Sequence, residues 1–154
     1  MTTMINSIWI RTGILFLCFV SNFAFAEPIK KLTIVTTIST FADIAASVGG
    51  EYVETSSIAS PRFNTHFIEP KPTDVLRLKR ADLFIHGGLD LEMWRDPLVN
   101  ASGRPDFRVG GERQLDVSSS VTLLDLPSGP LSRASGDIHL YGNPHYWQDP
   151  KNGL

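Results

Sequence analysis

The chain has 154 residues, a formal net charge of −2 and one cysteine, Cys18. This near-neutral balance holds no basic block of the kind nucleic-acid binding requires, so no nucleic-acid partner is expected. A lone cysteine excludes an internal disulfide framework and a thiolate metal cluster.

Residues 1–26 have the build of a secretory signal. Arg11 supplies the positive charge, residues 14–20 form an apolar core, and Ala24-Phe25-Ala26 is a small-x-small cleavage pattern. The apolar core is too short to span a bilayer, although an uncleaved N-terminal anchor is the alternative. Leu17 fills the position before Cys18 where lipid attachment calls for a small residue. The expected address is the periplasm, and the mature part is 27–154, a single domain without cysteine. No second long apolar segment follows, so the mature part is not expected to be an integral membrane protein.

Residues 32–38 are rich in β-branched side chains and predict a strand. Ser39-Thr40 offers a helix cap, with Asp43 in the capping-box position. Phe41, Ile44, Ala45 and Val48 then recur at helical spacing, as one apolar face would. Gly49-Gly50 stops that helix. Residues 52–59 are a second strand candidate. A loop stiffened by Pro61, Pro70 and Pro72 follows. Thr73 or Asp74 caps a short helix with Val75, Leu76 and Leu78, running through Arg80. Leu83-Phe84-Ile85 is a continuous apolar run, as a buried parallel strand requires. Gly87-Gly88 ends it, and a helix starts over residues 90–94, its extent limited by Pro97. Residues 103–118 are mixed, residues 121–124 predict a further strand, and residues 127–144 form a long Gly-, Pro- and Ser-rich loop. This alternation predicts an α/β fold: a single Rossmann-like lobe with a mainly parallel sheet flanked by helices. Ligands of such sheets collect at the carboxyl ends of the strands, and His66 and His86 fall near that edge.

The four histidines are His66, His86, His139 and His145. Imidazole suits zinc and other first-row ions, and carboxylates suit manganese. None of the four shows zinc-finger or zincin spacing. Each has a bland alternative: His66 bonded to backbone in its loop, His86 packed at a strand end, His139 solvated, and His145 held in a packed turn of aromatics and prolines. Glu69 is a candidate ligand or supporting residue, or else a surface charge beside Lys71. Gly-x-Ser-x-Gly and a phosphate-cradling glycine loop are both absent, and Asp90 and Glu92 sit where a helix start favours acidic groups without catalysis. No enzyme is expected.

An ordered series of motifs resembles the zinc- and manganese-binding solute receptors of bacterial ABC metal importers. It runs through Ile34-Val35-Thr36-Thr37, Phe41-Ala42-Asp43-Ile44 and Val48-Gly49-Gly50. It continues with His66-Phe67-Ile68-Glu69-Pro70-Lys71-Pro72-Thr73-Asp74-Val75, Arg80-Ala81-Asp82-Leu83-Phe84 and Gly88-Leu89-Asp90-Leu91-Glu92, and closes with Asn143-Pro144-His145-Tyr146-Trp147-Gln148-Asp149-Pro150. The resemblance implies two α/β lobes joined by a long helix, with one zinc or manganese ion between them as cargo. It places the first metal ligand at His66 and the second at His145, with further ligands from a second lobe. Glu69 and His139 are possible accessory residues. His139 alone stands where some zinc-specific relatives carry a histidine-rich loop. The implied function is an exported, monomeric receptor that hands its metal to an ABC permease membrane subunit. The sequence stops at Leu154 where the connecting helix would begin, so the expectation for 27–154 is an N-terminal lobe with part of the site. The alternative is a weakly binding or inactive fragment serving as a structural or surface lobe.

Overall fold

The computed structural model describes residues 29–129 and 139–153. The signal sequence expected over 1–26, with Cys18, lies outside them, as does the middle of the loop expected over 127–144. Among the described residues, no helix is long and apolar enough to cross a membrane.

Four parallel strands form one sheet in the order β2-β1-β3-β4. They are β1 (Leu32–Thr36), β2 (Val53–Ser57), β3 (Leu83–His86) and β4 (Gln114–Asp116). Three α-helices join them: α1 (Ser39–Gly49), α2 (Pro72–Arg80) and α3 (Arg95–Ser102). The α/β expectation therefore holds. β1 and β3 are apolar because both faces are covered: Ile34, Val35, Phe84 and Ile85 are buried with Phe41, Leu78, Leu98, Val99 and Phe107 around them. The chain winds from β1 outward to β2, then crosses to β3 on the other side. The order reverses between β1 and β3, and a crevice at the carboxyl ends of these two strands is where such sheets hold ligands.

Several local expectations are corrected. The residues expected as a strand over 121–124 are irregular, with Leu123 and Leu124 facing solvent. The fourth strand is instead Gln114–Asp116, in the stretch that gave no clear pattern. It pairs Phe84 with Gln114 and His86 with Asp116. A three-residue edge strand needs little apolar character, and an apolar run need not be buried. α1 begins at Ser39 with Ile38 before it and no side-chain cap, so the predicted Thr40 and Asp43 capping box does not form. Its buried face is Phe41, Ala42 and partly Ala45. Ile44 and Val48, 51% and 85% exposed, lie on the outer flank. In α2 the cap is Lys71, not Thr73 or Asp74. Pro72 occupies the first turn, where its missing N–H costs nothing. Asp74 reaches back to accept the Lys71 backbone N–H at 2.8 Å and pairs with Arg77 at 3.2 Å. Leu78 is fully buried there, whereas Leu76 is exposed. Residues 89–94 are turns, and α3 starts at Arg95, so Pro97 sits harmlessly in its first turn.

Gly88 carries a tight requirement. Its φ of +68° is the left-handed region, and a Cβ there would collide with the Asp116 carboxylate and the Ser118 hydroxyl. Gly88→Ala is expected to cost about 2 kcal/mol or more, combining backbone strain with overpacking. Urea unfolding checks this; an unchanged midpoint would show that the β3 exit relaxes freely.

Candidate metal site

Two loops leave the carboxyl ends of β2 and β3, and a third segment, from His139 to Asp149, packs across them. The β2 exit carries His66 in a short 3-10 turn, Thr65–Phe67. Asn64 starts this turn: its Oδ1 accepts the His66 backbone N–H at 3.0 Å. Buried Trp94 then pins the turn by donating its indole N–H to the Thr65 carbonyl at 2.7 Å. The loop thus holds the position of His66 without using the imidazole.

The third segment is anchored by aromatic side chains. Buried Tyr146 donates its hydroxyl to the Gly87 carbonyl at the end of β3, 2.6 Å away. Burial pushes its phenol well above the ordinary value, with the charges of Glu92 and Asp116 acting the same way, so it remains a neutral donor. Trp147 meets Phe41, in the first turn of the helix α1 that follows β1, edge-on with ring centroids 6.0 Å apart. The segment therefore straddles the reversal between β1 and β3. Trp147 also lies 5.4 Å from the His145 ring.

Asn143 sets the orientation of His145. Its amide nitrogen donates to Asp125 at 2.9 Å, which turns its oxygen toward His145. That oxygen accepts both the backbone N–H and the ring Nδ1–H of His145, at 3.0 and 3.1 Å. With Nδ1 protonated, the neutral imidazole carries its lone pair on Nε2, the tautomer a metal ligand needs. That Nε2 lies 3.3 Å from Nε2 of His66, 79 residues away in sequence. Two nitrogens bound at ordinary zinc distances in a tetrahedron are about 3.3 Å apart, so the pair already has the spacing of one tetrahedral edge.

His139 joins them. It stacks on His66 with ring centroids 4.8 Å apart and 28° between planes. One ring nitrogen from each of His66, His139 and His145 lies within 4.8 Å of the other two, and each residue is half-buried.

A family model for zinc-uptake complex component A, periplasmic (ZnuA), matches residues 34–154. The chain belongs to this family. The iron-binding protein YfeA of Yersinia pestis is 29% identical over 160 residues, covering 97% of this chain and 47% of YfeA. The metal ABC transporter substrate-binding lipoprotein SloC of Streptococcus mutans is 34% identical over 130 residues, 81% of this chain and 39% of SloC. In fold, a zinc-bound ZnuA deletion mutant superposes with a TM-score of 0.63 at 22% identity, over 80% of this chain and 42% of that one. The chain spans less than half the length of these relatives.

In this ZnuA-family chain, the structure brings together His66, His139 and His145 and leaves the other candidates apart. Glu69 is exposed on the far side of the His66 loop, outside the cluster, and no ion pair with Lys71 is formed among the described contacts. His86 is 1% exposed and hydrogen-bonds Gln114 Oε1 at 2.6 Å, joining β3 to β4. Burial, and then the nearby Arg95 charge, lower its pKa and keep it neutral. His139, a possible accessory residue whose bland alternative is a solvated loop position, lies in the cluster. The residues that hold the histidines were not read from the sequence in that role: Trp94, Asn143 and Asp90. In sequence Asp90 has the character of a helix-start charge; in the structure it accepts from His139 Nδ1 at 2.6 Å. Only its place in the Gly88-Leu89-Asp90-Leu91-Glu92 motif marked it.

Proposed function

We propose that this lobe is the metal-capturing part of an exported solute-binding protein, which takes up zinc or manganese and delivers it to an ABC permease. The observation that carries the reading is the 3.3 Å approach of the His66 and His145 Nε2 atoms, each histidine also held by an asparagine of its own loop. Membership of the zinc-uptake family supports metal as the cargo. Imidazole donors favour zinc over manganese, which prefers carboxylate and water oxygens. The metal enters as substrate, so the site must both bind and release it. Nitrogen ligands on loops, at an open sheet edge, suit that task better than a closed structural site. The signal-like residues 1–26 support a periplasmic address.

Calorimetric titration of the purified protein with zinc tests this. One zinc per chain is expected, with manganese displaced by zinc in competition. No heat, together with no zinc retained after dialysis, would overturn it.

A further inference from the structure

His139 lies six residues before His145, and a carboxylate from a different loop holds it. Asp90 Oδ1 accepts from His139 Nδ1 at 2.6 Å, while Asp90 Oδ2 accepts the neighbouring Leu140 backbone N–H at 3.0 Å. One carboxylate oxygen thus holds the imidazole and the other the backbone just after it. The backbone is bent to permit it: Leu89 and Asp90 have φ values of 51° and 57°, in the left-handed region that non-glycine residues rarely occupy. Two such residues in succession, at the exit of β3, mark a conformation that the surroundings impose. Its evident product is the placement of the Asp90 carboxylate against His139.

We propose that His139 is a third metal ligand contributed by this same lobe, and that Asp90 is its positioning residue. The inference rests on the reading of His66 and His145 as a metal pair and extends it. With Nδ1–H donated to Asp90, the lone pair of His139 is on Nε2, and the ring, stacked on His66, offers it to the cluster. A carboxylate behind a ligating histidine fixes its tautomer and orientation and raises its basicity. Three imidazoles and one open position form a nitrogen-rich tetrahedral site that selects zinc over manganese. Residues 66, 139 and 145 then hold zinc without a donor from elsewhere, and the open position receives water or one outside ligand.

Zinc-edge X-ray absorption of the zinc-loaded protein counts the imidazoles. Three are expected in the wild type and two in His139→Ala. Asp90→Gly keeps the positive φ at little cost while deleting the carboxylate. Its zinc affinity is expected to fall about 10- to 100-fold, as for other residues behind a metal ligand. Asp90→Asn, which retains an acceptor oxygen and tolerates the same backbone, should recover part of that loss. Unfolding midpoints of the zinc-free proteins show whether each variant folds. Two imidazoles in the wild type, or unchanged zinc affinity in both His139→Ala and Asp90→Gly, overturn the inference and leave the His66 and His145 pair standing. A wild type that binds no zinc overturns both.

Discussion

His66→Ala and His145→Ala are each expected to weaken zinc binding by about a hundredfold or more, exceeding the loss typical of a residue behind a ligand. Either change removes one nitrogen of the pair 3.3 Å apart and leaves its position to water. The same substitutions should barely alter the zinc-free protein. The His66 turn is set by Asn64 and Trp94, and the His145 segment by Tyr146 and Trp147, so neither needs the imidazole to hold its shape. Stability without metal is expected to stay within about 0.5 kcal/mol of wild type, as for substitutions outside the core. Thermal unfolding with and without zinc separates the two effects. Zinc at a hundred times its dissociation constant stabilises a native-state binder by about 2.7 kcal/mol. That shift should appear in the wild type and fall to about 0.4 kcal/mol or less in both variants. A variant that keeps the full shift would remove its histidine from the site.

Glu92 is the second place where a single change has a large expected effect. Its side chain is buried beneath the β1 and β3 exits. Oε1 accepts the Thr37 hydroxyl at 2.5 Å and the Gly87 backbone N–H at 2.8 Å. It thereby ties together the two strand ends between which the site forms. Glu92→Leu leaves both donors buried and unpaired and is expected to cost about 2–4 kcal/mol. Glu92→Gln keeps an acceptor oxygen and should be far milder. The two variants also differ from wild type in pH response. Burial raises the Glu92 pKa above its ordinary 4.5, against the pull of the two hydrogen bonds and of Arg95. The folded protein therefore holds this proton more tightly than the unfolded chain does. The resulting stability is fully present below the unfolded value and is lost as pH rises through the folded one. Relative to Glu92→Gln, wild type should lose stability from pH 4.5 upward, by at most about 1.4 kcal/mol per pH unit within that window. Urea unfolding of both proteins across the window reads the slope. Parallel profiles would mean that Glu92 is ionised in the fold.

How much of this was visible in the sequence follows from where each interaction is made. β1 and β3 are buried on both faces, so their β-branched and apolar runs announce them. β4 is a three-residue edge whose pairing is made entirely by its neighbour, and its residues carry no periodic signal. The helix α1 was legible as an element, but its apolar positions outnumber those the sheet can cover. Ile44 and Val48 stay outside because Phe41 and Ala42 occupy the contact. Within the site, His66 stood out in a stiff loop, and family resemblance supplied His145. The role of His139 needed three dimensions: its carboxylate partner is 49 residues away, and its stacking partner lies on a different strand exit. Trp94 is equally mute in sequence, since its part in the site is one indole hydrogen bond to a loop carbonyl.

The membership in the zinc-uptake family and the local geometry bear on different questions. The first concerns the class of cargo, and the second concerns which atoms of this lobe would touch it. Crystals of the protein grown or soaked with zinc, measured on either side of the zinc absorption edge, join the two. An anomalous peak bonded to Nε2 of both His66 and His145 is expected. A lobe that crystallises in this fold with no zinc peak at that pair, or with zinc bound only elsewhere, would contradict it.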